Sequence, residues 1–330
     1  MNNRRRLLVA LGAAALASPL TPHAQSQTKV WRVGFFYLGS RQSELDTGRS
    51  GAFLHGMREL GYIEGKNLAI VWRFADGKAE RLPGLAAELV QMKVDLILAA
   101  GTQATSAAQK ATATIPIVMG TAGDPVGSGF VKTLARPGGN ITGLSTITDE
   151  LGPKHLEMLI AMVPKLSRVA FLMNPVSVLY PTVLKNVQAA AQRAGVKILL
   201  VEAQTPQQIE NAFPMMAREG AGAIIVVADG LFAQQRLQIA ELALKNRLPS
   251  IAWIQEFAEA GVLMSYGPNF ADLYRRSATY VDKILKGAKP GELPVEQAMK
   301  FDLFINGKTV KALDLTIPPS LLISATKVIE

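Results

Sequence analysis

The chain of 330 residues contains no cysteine and only three histidines. The missing thiol excludes disulfide bonds, a lipid anchor on an N-terminal cysteine, and the zinc sites that need thiolate ligands. His55 and His155 fall in separate predicted helices and are expected to be structural, and no serine has the G-x-S-x-G surroundings of a hydrolase nucleophile. The sequence therefore indicates neither an enzyme nor a protein with a metal or another cofactor.

The chain also lacks an apolar run long enough to cross a bilayer, which takes about 20 residues. Its first residues combine three arginines, the apolar run 7–16 and then small residues, the order typical of a secretory signal peptide. We predict a signal peptide over residues 1–24, with cleavage after Ala17 or Ala24 and export by the Sec or the twin-arginine route. The mature chain is expected to be a soluble periplasmic protein.

Positive charge is present only in modest excess. Removal of residues 1–24 takes away three arginines and no acidic residue, so the formal net charge falls from +9 to +6. The remaining sequence contains no block of lysines or arginines of the kind that binds nucleic acid. No nucleic-acid partner is therefore predicted.

Short apolar runs alternate with helical patterns along the rest of the chain. In the first half, strands are predicted at 30–38, 67–74, 94–99 and 115–119, with helices at 48–60, 79–92 and 103–111. The alternation resumes after Gly143, with strands at 168–173, 197–201, 223–227, 250–253, 262–265 and 301–305 and helices at 154–162, 181–194, 206–218, 233–245 and 271–285. Such alternation is typical of parallel strands joined by right-handed crossovers. The predicted fold class is α/β, with two doubly wound, Rossmann-like lobes.

A glycine-rich segment, 120–143, contains a Lys132-Thr133 pair and invites comparison with phosphate-binding loops. A P-loop requires glycine before the lysine, where this chain has Val131, and the G-x-G-x-x-G pattern fails because Lys132 replaces its third glycine. Nucleotide binding is therefore not predicted. The glycines are expected to serve tight turns and a close approach of backbone to ligand, and Asp124-Pro125 predicts the start of a short helix.

Polar and aromatic residues follow the carboxyl ends of the predicted strands, where ligands bind in open α/β sheets. Most carry small hydroxyl or amide groups, which suit hydrogen bonds to a small polar ligand. The candidate ligand-binding residues are Tyr37, Ser40, Gly101, Thr102, Gln103, Thr121, Asp124, Thr146, Asn174, Asp229 and Trp253. Alternatives remain open, since Asp124 and the segment 101–103 also suit helix capping, and Tyr37 and Trp253 also suit core packing.

Two long segments resemble the substrate-binding proteins of ABC transporters, in the tryptophan/tyrosine-type branch of the type I periplasmic binding proteins. The first, 101–145, is GTQATSAAQKATATIPIVMGTAGDPVGSGFVKTLARPGGNITGLS. The second, 248–322, includes GVLMSYGPNFADLYRRSATYVDKILKG. The resemblance extends over the mature chain from Val30 onward. One departure is Asp314, where the family usually has glycine.

The resemblance implies two similar lobes joined by three crossovers, near 141–145, 265–268 and 293–297. Lobe 1 would comprise residues 29–143 plus 267–293, and lobe 2 residues 144–266 plus 294–330. It further implies a monomeric periplasmic receptor of an ABC importer, which binds an aromatic amino acid or a related carboxylate by lobe closure. The closed form would deliver this ligand to a permease in the inner membrane.

Two other functions remain open at this stage. A receptor of the same fold could report its ligand to a membrane sensor instead of a permease. An enzyme could also use the fold, because a fold does not determine a function, although the chain lacks a recognisable nucleophile, base or metal cluster.

Overall fold

Two β-sheets organise the chain. The computed structural model describes residues 29–147, 151–177 and 180–330, so the predicted signal peptide lies outside the described residues. Residues 31–330 form one compact unit. Within the described ranges, no helix has both the length and the apolar character needed to cross a membrane.

The first sheet is parallel throughout the described chain. Its strands are β1 (Trp31–Tyr37), β2 (Leu68–Phe74), β3 (Leu96–Ala100), β4 (Ile117–Ala122), β5 (Ile141–Ser145) and β11 (Glu296–Gln297), and their order is β11–β5–β4–β3–β1–β2. The central strands β3 and β4 are buried along their whole length. Their continuous apolar sequences fit a parallel sheet that is covered on both faces.

Helices cover both faces of the first sheet. They are α1 (Arg41–Thr47), α2 (Arg49–Glu59), α3 (Leu82–Gln91), α4 (Thr102–Ala111) and α11 (Phe270–Leu285). On one face α2 and α11 pack over Val33 and Phe35, and on the other α3 and α4 pack over Phe36. Gly56 allows α2 to cross α11 closely, because a Cβ atom there would lie 2.7 Å from the carbonyl oxygen of Arg275. We call this sheet and its helices the first lobe.

The second sheet is mostly parallel. Its strands are β6 (Arg168–Met173), β7 (Lys197–Glu202), β8 (Ala223–Val226), β9 (Ser250–Ala252), β10 (Met264–Pro268), β12 (Phe301–Asn306) and β13 (Lys327–Ile329). In the described chain their order is β13–β12–β10–β9–β8–β6–β7, and only the β10–β12 pair is antiparallel. The antiparallel pair arises because the chain leaves for the first lobe after β10 and returns from the opposite direction.

The second lobe consists of this sheet and the helices on its two faces. They are α5 (Leu151–Met162), α6 (Tyr180–Ala194), α7 (Pro206–Arg218), α8 (Gly230–Gln234), α9 (Arg236–Lys245), α10 (Gln255–Ala260), α12 (Gly307–Ala312) and α13 (Pro319–Ser324). Leu159 and Val187 pack with Phe171 on one face. Phe213 and Phe257 belong to the apolar cluster on the other.

The chain passes between the sheets at three places in its described part. It leaves the first sheet after β5, returns between β10 and α11, and enters the second sheet again between β11 and β12. The predicted class of two doubly wound α/β lobes is confirmed. The residue limits of the two lobes stay a prediction; β5 and β11 both belong to the first sheet.

Most predicted elements are confirmed within a few residues, and helix 206–218 is α7 without any shift. The helix predicted at 79–92 instead begins with a 3₁₀ turn, Ala79–Arg81, and Pro83 lies in the first turn of α3, where proline needs no hydrogen-bonding N–H. The helix predicted at 233–245 is divided into α8 and α9. The sequence analysis did not predict α1, α10, α13, β11 or β13.

The short helix predicted after Asp124 is wrong, because residues 125–129 form turns. An N-cap residue has extended backbone, whereas Asp124 has a φ of 30°. Its Oδ1 accepts a hydrogen bond of 2.8 Å from the N–H of Gly127, and Gly129 has a φ of 72°. The carboxylate thus caps a turn.

The backbone conformation at Asp314 explains why related sequences usually have glycine at this position. The residue follows α12 with a φ of 55°, the left-handed conformation that favours glycine after a helix. Aspartate tolerates this conformation better than most residues. Its exposed carboxylate lies 2.8 Å from Nη2 of Arg247, so the substitution stays at the surface of the second lobe.

Candidate ligand-binding site

A cavity of about 130 Å³ lies between the two lobes. Its walls come from residues at the carboxyl ends of strands in both sheets and from the start of α11, the place where open α/β sheets bind ligands. Eight of the eleven predicted residues line it: Tyr37, Gly101, Thr102, Gln103, Thr121, Thr146, Asp229 and Trp253. That these residues bind ligand stays a prediction.

The other three predicted residues are not part of this lining. Asn174 lies behind the wall and donates a hydrogen bond of 3.2 Å from Nδ2 to Oδ2 of Asp229. Asp124 caps its own turn. Ser40 precedes α1, and its carbonyl accepts a hydrogen bond of 3.3 Å from the N–H of Glu44. Asn174 therefore helps to shape the cavity, because its hydrogen bond orients the wall residue Asp229.

The sequence analysis missed four wall residues with charged, hydroxyl or aromatic side chains, and three of them lie in helices and not at strand ends. Arg49 lies in α2 and Phe270 and Tyr274 in α11, whereas Ser177 lies in the loop after β6. One signal was available for Arg49, which is the first residue of α2. A cation is unfavourable at a helix N-terminus, so an arginine there points to a role outside its own helix.

The N-terminus of α4 forms part of the first-lobe wall. Gly101 joins β3 to α4 with a φ of 96° and a ψ of 160°, a conformation that favours glycine, and no side chain caps the helix. Oγ1 of Thr102 accepts a hydrogen bond of 3.0 Å from the N–H of Gly123, which ties this turn to the segment after β4. The uncapped N–H groups and the positive end of the helix dipole suit a carboxylate.

Gln103, the second residue of α4, belongs to the same wall. Its Oε1 is buried and has no hydrogen-bond partner among the described residues. Buried polar groups are nearly always paired in native proteins. Gln103 therefore lines the cavity through its other atoms, while Oε1 is enclosed by protein.

Asp229 places a carboxylate on the second-lobe wall. Its Oδ1 accepts a hydrogen bond of 2.8 Å from the N–H of Leu231, which caps α8. Burial raises the pKa of Asp229, although the hydrogen bonds from Leu231 and Asn174 act in the opposite direction by stabilising the anion. Each carboxylate oxygen retains acceptor capacity, so the group suits a cationic partner in the cavity.

Aromatic rings form much of the remaining wall, from Tyr37, Trp253, Phe270 and Tyr274. Trp253 is held by Phe257, with 4.8 Å between the ring centroids. Burial raises the pKa of both Tyr37 and Tyr274, so their phenols are neutral at physiological pH. These rings suit a flat apolar ligand group.

An ion pair joins the lobes beside the cavity. Arg49 of α2 places Nη2 at 2.5 Å from Oε1 of Glu256 in α10, and their side chains are only 10% and 17% exposed. We call it the interlobe ion pair. The Arg49 guanidinium also lies 4.7 Å above the ring centroid of Phe270. Glu44 is buried next to this pair, and burial raises its pKa to about 7 even though Arg49 and a hydrogen bond from the Ser50 backbone lower it.

The lobes also meet at two glycines on the rim of the cavity. A Cβ atom on Gly230 of the second lobe would run into Cδ2 of Leu38 in the first. A Cβ atom on Gly77 of the first lobe would run into the amide of Gln234 in the second. The small residues therefore allow the two rims to approach closely.

Comparison with known proteins assigns the chain to a family. The sequence pattern of the family described as "ABC transporter substrate binding protein" matches residues 42–329. A curated relative, the tyrosine-binding protein of Clostridioides difficile strain R20291, is 28% identical over 272 residues, which are 82% of this chain and 77% of that protein.

Solved structures show the same similarity. An ABC domain from Streptococcus pneumonia in complex with L-Trp matches with a TM-score of 0.84 at 25% identity, over 91% of this chain and 100% of that one. The ligand-free, open structure of a substrate-binding protein with adhesive properties from Clostridium difficile matches with a TM-score of 0.66 at 27% identity, over 91% and 100%. The family consists of substrate-binding proteins and the curated relative is a tyrosine-binding protein, so the prediction that this chain is not an enzyme is confirmed. The chain belongs to the family of ABC transporter substrate-binding proteins, as its sequence predicted.

Proposed function

We propose that this protein binds an aromatic amino acid, tryptophan or tyrosine, between its lobes and delivers it to the permease of an ABC importer. The observation that carries the proposal is one cavity that combines aromatic walls, an uncapped helix N-terminus and a buried carboxylate. Its volume of about 130 Å³ is close to that of a protein cavity of about 150 Å³ that holds benzene. An aromatic ring therefore fits its size.

The head group of an amino acid matches the polar walls. Its carboxylate fits the uncapped N–H groups at the start of α4. Its ammonium fits Asp229 on the facing lobe. Arg49 is less suited to the carboxylate, because Glu256 already neutralises its charge.

Lobe closure is the proposed signal to the permease. The match to the L-Trp complex, with a TM-score of 0.84, exceeds the match to the open structure, with 0.66, although the identities are 25% and 27%. This difference supports a closed arrangement of the lobes here. A ligand that contacts both lobes favours such an arrangement through the contacts that exist only when they meet.

The proposal places this step in the periplasm. The predicted signal peptide, residues 1–24, supports export across the inner membrane. There, a monomer that interconverts between open and closed forms would meet the permease of its transporter. Copurification of the ligand-loaded protein with a permease encoded beside it tests this part; capture by a sensor kinase alone would contradict it.

The ligand assignment is tested by calorimetric titration and thermal unfolding with L-tryptophan, L-tyrosine and L-leucine. We expect the aromatic amino acids to bind and to raise the melting temperature, because a ligand at about 100 times its Kd stabilises the folded state by about 2.7 kcal/mol. Asp229→Asn should weaken binding about tenfold and preserve folding, since asparagine also caps helices well.

Asp76→Asn is the matched control, because Asp76, like Asp229, comes just after a strand. It belongs to the first lobe and pairs with Arg81 at the surface. The affinity of this variant should equal that of the unmodified protein. Binding of leucine alone, or no binding of any amino acid, would contradict the proposed ligand class. Conversion of the ligand to a product would contradict a receptor.

Closure is tested at Gly230, the first residue of α8. We expect Gly230→Ala to weaken binding of L-tryptophan about tenfold, because its Cβ would run into Leu38 across the rim, and overpacking costs about 1–3 kcal/mol. Alanine favours a helix more than glycine, so the melting temperature without ligand should not fall. Calorimetric titration measures the first effect and calorimetric unfolding the second.

Gly84→Ala is the control for this experiment, because a Cβ atom at Gly84 in α3 meets nothing within 4 Å. If the rim contact causes the loss, the double variant Gly230→Ala/Leu38→Ala should bind L-tryptophan with nearly the affinity of Leu38→Ala alone. If the double variant instead binds L-tryptophan tenfold more weakly than Leu38→Ala, the contact between residue 230 and Leu38 does not limit closure.

A further inference from the structure

A second acidic side chain lies beside the interlobe ion pair. Glu44 belongs to α1 and is only 1% exposed. Its carboxylate accepts a hydrogen bond from the Ser50 backbone and is close enough to Arg49 and Glu256 to interact with both charges. Arg49 in turn places Nη2 at 2.5 Å from Oε1 of Glu256. Two largely buried carboxylates therefore share one guanidinium.

The two carboxylates belong to different lobes. Glu44 and Arg49 lie in the first lobe, whereas Glu256 lies in α10 of the second. When the lobes separate, Glu256 leaves with the second lobe, while Glu44 stays beside Arg49. The arginine is thus shared in the closed form and interacts with Glu44 alone in the open form. Since an opposite charge stabilises a carboxylate and a like charge destabilises it, the Glu44 anion is more favourable in the open form.

The other charged and titratable groups around Glu44 do not reverse this order. The phenols of Tyr37 in β1 and Tyr274 in α11 face the cluster from the first lobe, and burial raises the pKa of both, so they are neutral at physiological pH. Arg236 of α9 acts on the phenol of Tyr37, whereas the Glu44 carboxylate responds to the two members of the interlobe ion pair. Arg41, on the same helix as Glu44, is exposed to water.

From this cluster we propose that closure of the lobes around the ligand is coupled to the uptake of a proton by Glu44. The proton removes the second negative charge, which the closed form would otherwise bury beside a single arginine, and burial of an uncompensated charge is unfavourable. The proposal rests on the proposed function, because it requires that ligand binding closes the lobes. It adds a regulatory property, since the protein would hold its ligand more tightly in an acidic medium.

The direction of the pKa shift agrees with this coupling. Burial, with a smaller contribution from Glu256, raises the pKa of Glu44 from 4.5 to about 7 in the present arrangement, although Arg49 and the Ser50 backbone lower it. In the open form the unshared arginine lowers this pKa. A group whose pKa is higher in the closed form takes up a proton on closure between the two pKa values. The affinity for the ligand should therefore fall as the pH rises through that interval to about 7.

The test is calorimetric titration with L-tryptophan at pH 6 and pH 8, since this ligand is a zwitterion at both. We expect the affinity to be about five to ten times higher at pH 6. Titration in two buffers with different ionisation enthalpies counts the protons taken up, which should be about 0.5–0.9 per ligand at pH 6 and close to none at pH 8. Glu44→Gln cannot take up this proton, so its affinity should be equal at the two pH values.

Glu59→Gln is the matched control, because Glu59 also faces an arginine, Arg275 at 2.9 Å, but within the first lobe and at the surface. It should keep the pH dependence and the proton uptake of the unmodified protein. Binding without proton uptake at pH 6, or uptake that persists in Glu44→Gln, would overturn the inference. Failure of the unmodified protein to bind L-tryptophan at either pH would instead contradict the proposed function. Glu44→Met, which also lacks the charge, takes the place of Glu44→Gln if melting temperatures show that the amide variant does not fold.

Discussion

Replacement of Arg49 by methionine is expected to weaken binding of L-tryptophan at least 100-fold. The interlobe ion pair spans 2.5 Å and is largely buried. Removal of one partner from a buried pair costs about 3–5 kcal/mol, because the other charge is left uncompensated. In an open form Glu256 would regain water, so the penalty should fall on closure and not on folding. Calorimetric titration should therefore report the loss, with a small change in the melting temperature of the free protein.

A double exchange separates the ion pair from a direct contact between Arg49 and the ligand. Two apolar residues often replace a buried pair at little net cost. The combination of Arg49→Met with Glu256→Met should therefore regain much of the affinity lost in Arg49→Met. If the double variant binds as weakly as the single one, Arg49 acts on the ligand itself and our explanation is wrong.

Arg73→Met is the matched control, since Arg73 pairs with Glu88 at 2.7 Å within the first lobe. That pair does not connect the lobes, and the Glu88 side chain is 50% exposed. Its loss should leave the affinity for L-tryptophan unchanged. A similar loss in both variants would show that removal of any arginine weakens binding.

The sequence predicted the residues whose position follows from the fold class alone. Tyr37, Thr102, Asp229 and Trp253 come at or just after buried apolar strands, and parallel strands bring their carboxyl ends to one edge of the sheet. All four line the cavity. This inference needs only the alternation of strands and helices, which the sequence displays.

Other wall residues could not be predicted, because their position depends on contacts between distant segments. Arg49 meets Glu256 only when the lobes are assembled, across 207 positions in the sequence. Phe270 and Tyr274 reach the cavity because α11 leaves the second sheet and packs on α2. No local pattern describes such a contact.

The wrong helix after Asp124 has a different physical origin. Asp-Pro favours an N-cap followed by a helix, but the same carboxylate can also bond to the backbone within a turn. The left-handed φ of Asp124, 30°, goes with the second arrangement. Local hydrogen bonding here prevailed over the average preference of the dipeptide.

Acidification should lower the free energy of unfolding by about 3 kcal/mol through His155. The side chain lies in α5, is 2% exposed, and places Nε2 at 2.7 Å from the carbonyl oxygen of Tyr266. Burial lowers the pKa of His155 from 6.5 to about 4, although the Tyr266 carbonyl acts in the opposite direction. The unfolded chain therefore binds more protons between these values, so stability is lost as the pH falls from about 6.5 to about 4.

The His155→Gln exchange removes this proton site and retains an N–H donor for Tyr266, so it isolates the effect. Urea unfolding gives the free energy of unfolding at pH 7 and at pH 4. The decrease from pH 7 to pH 4 should be about 3 kcal/mol smaller in the variant than in the unmodified protein. His55→Gln, at an exposed position of α2, controls for the loss of an imidazole.

The total pH dependence cannot replace this comparison, because Glu44 acts in the opposite direction. Burial raises the pKa of Glu44 from 4.5 to about 7, so its contribution to stability is lost as the pH rises through that interval. Glu44 and His155 offset each other between about pH 4.5 and pH 6.5, and a flat profile of the unmodified protein is compatible with both. Only the difference between the two proteins tests His155, and an equal pH dependence in His155→Gln would show that its imidazole accepts a proton as readily in the folded state as in the unfolded chain.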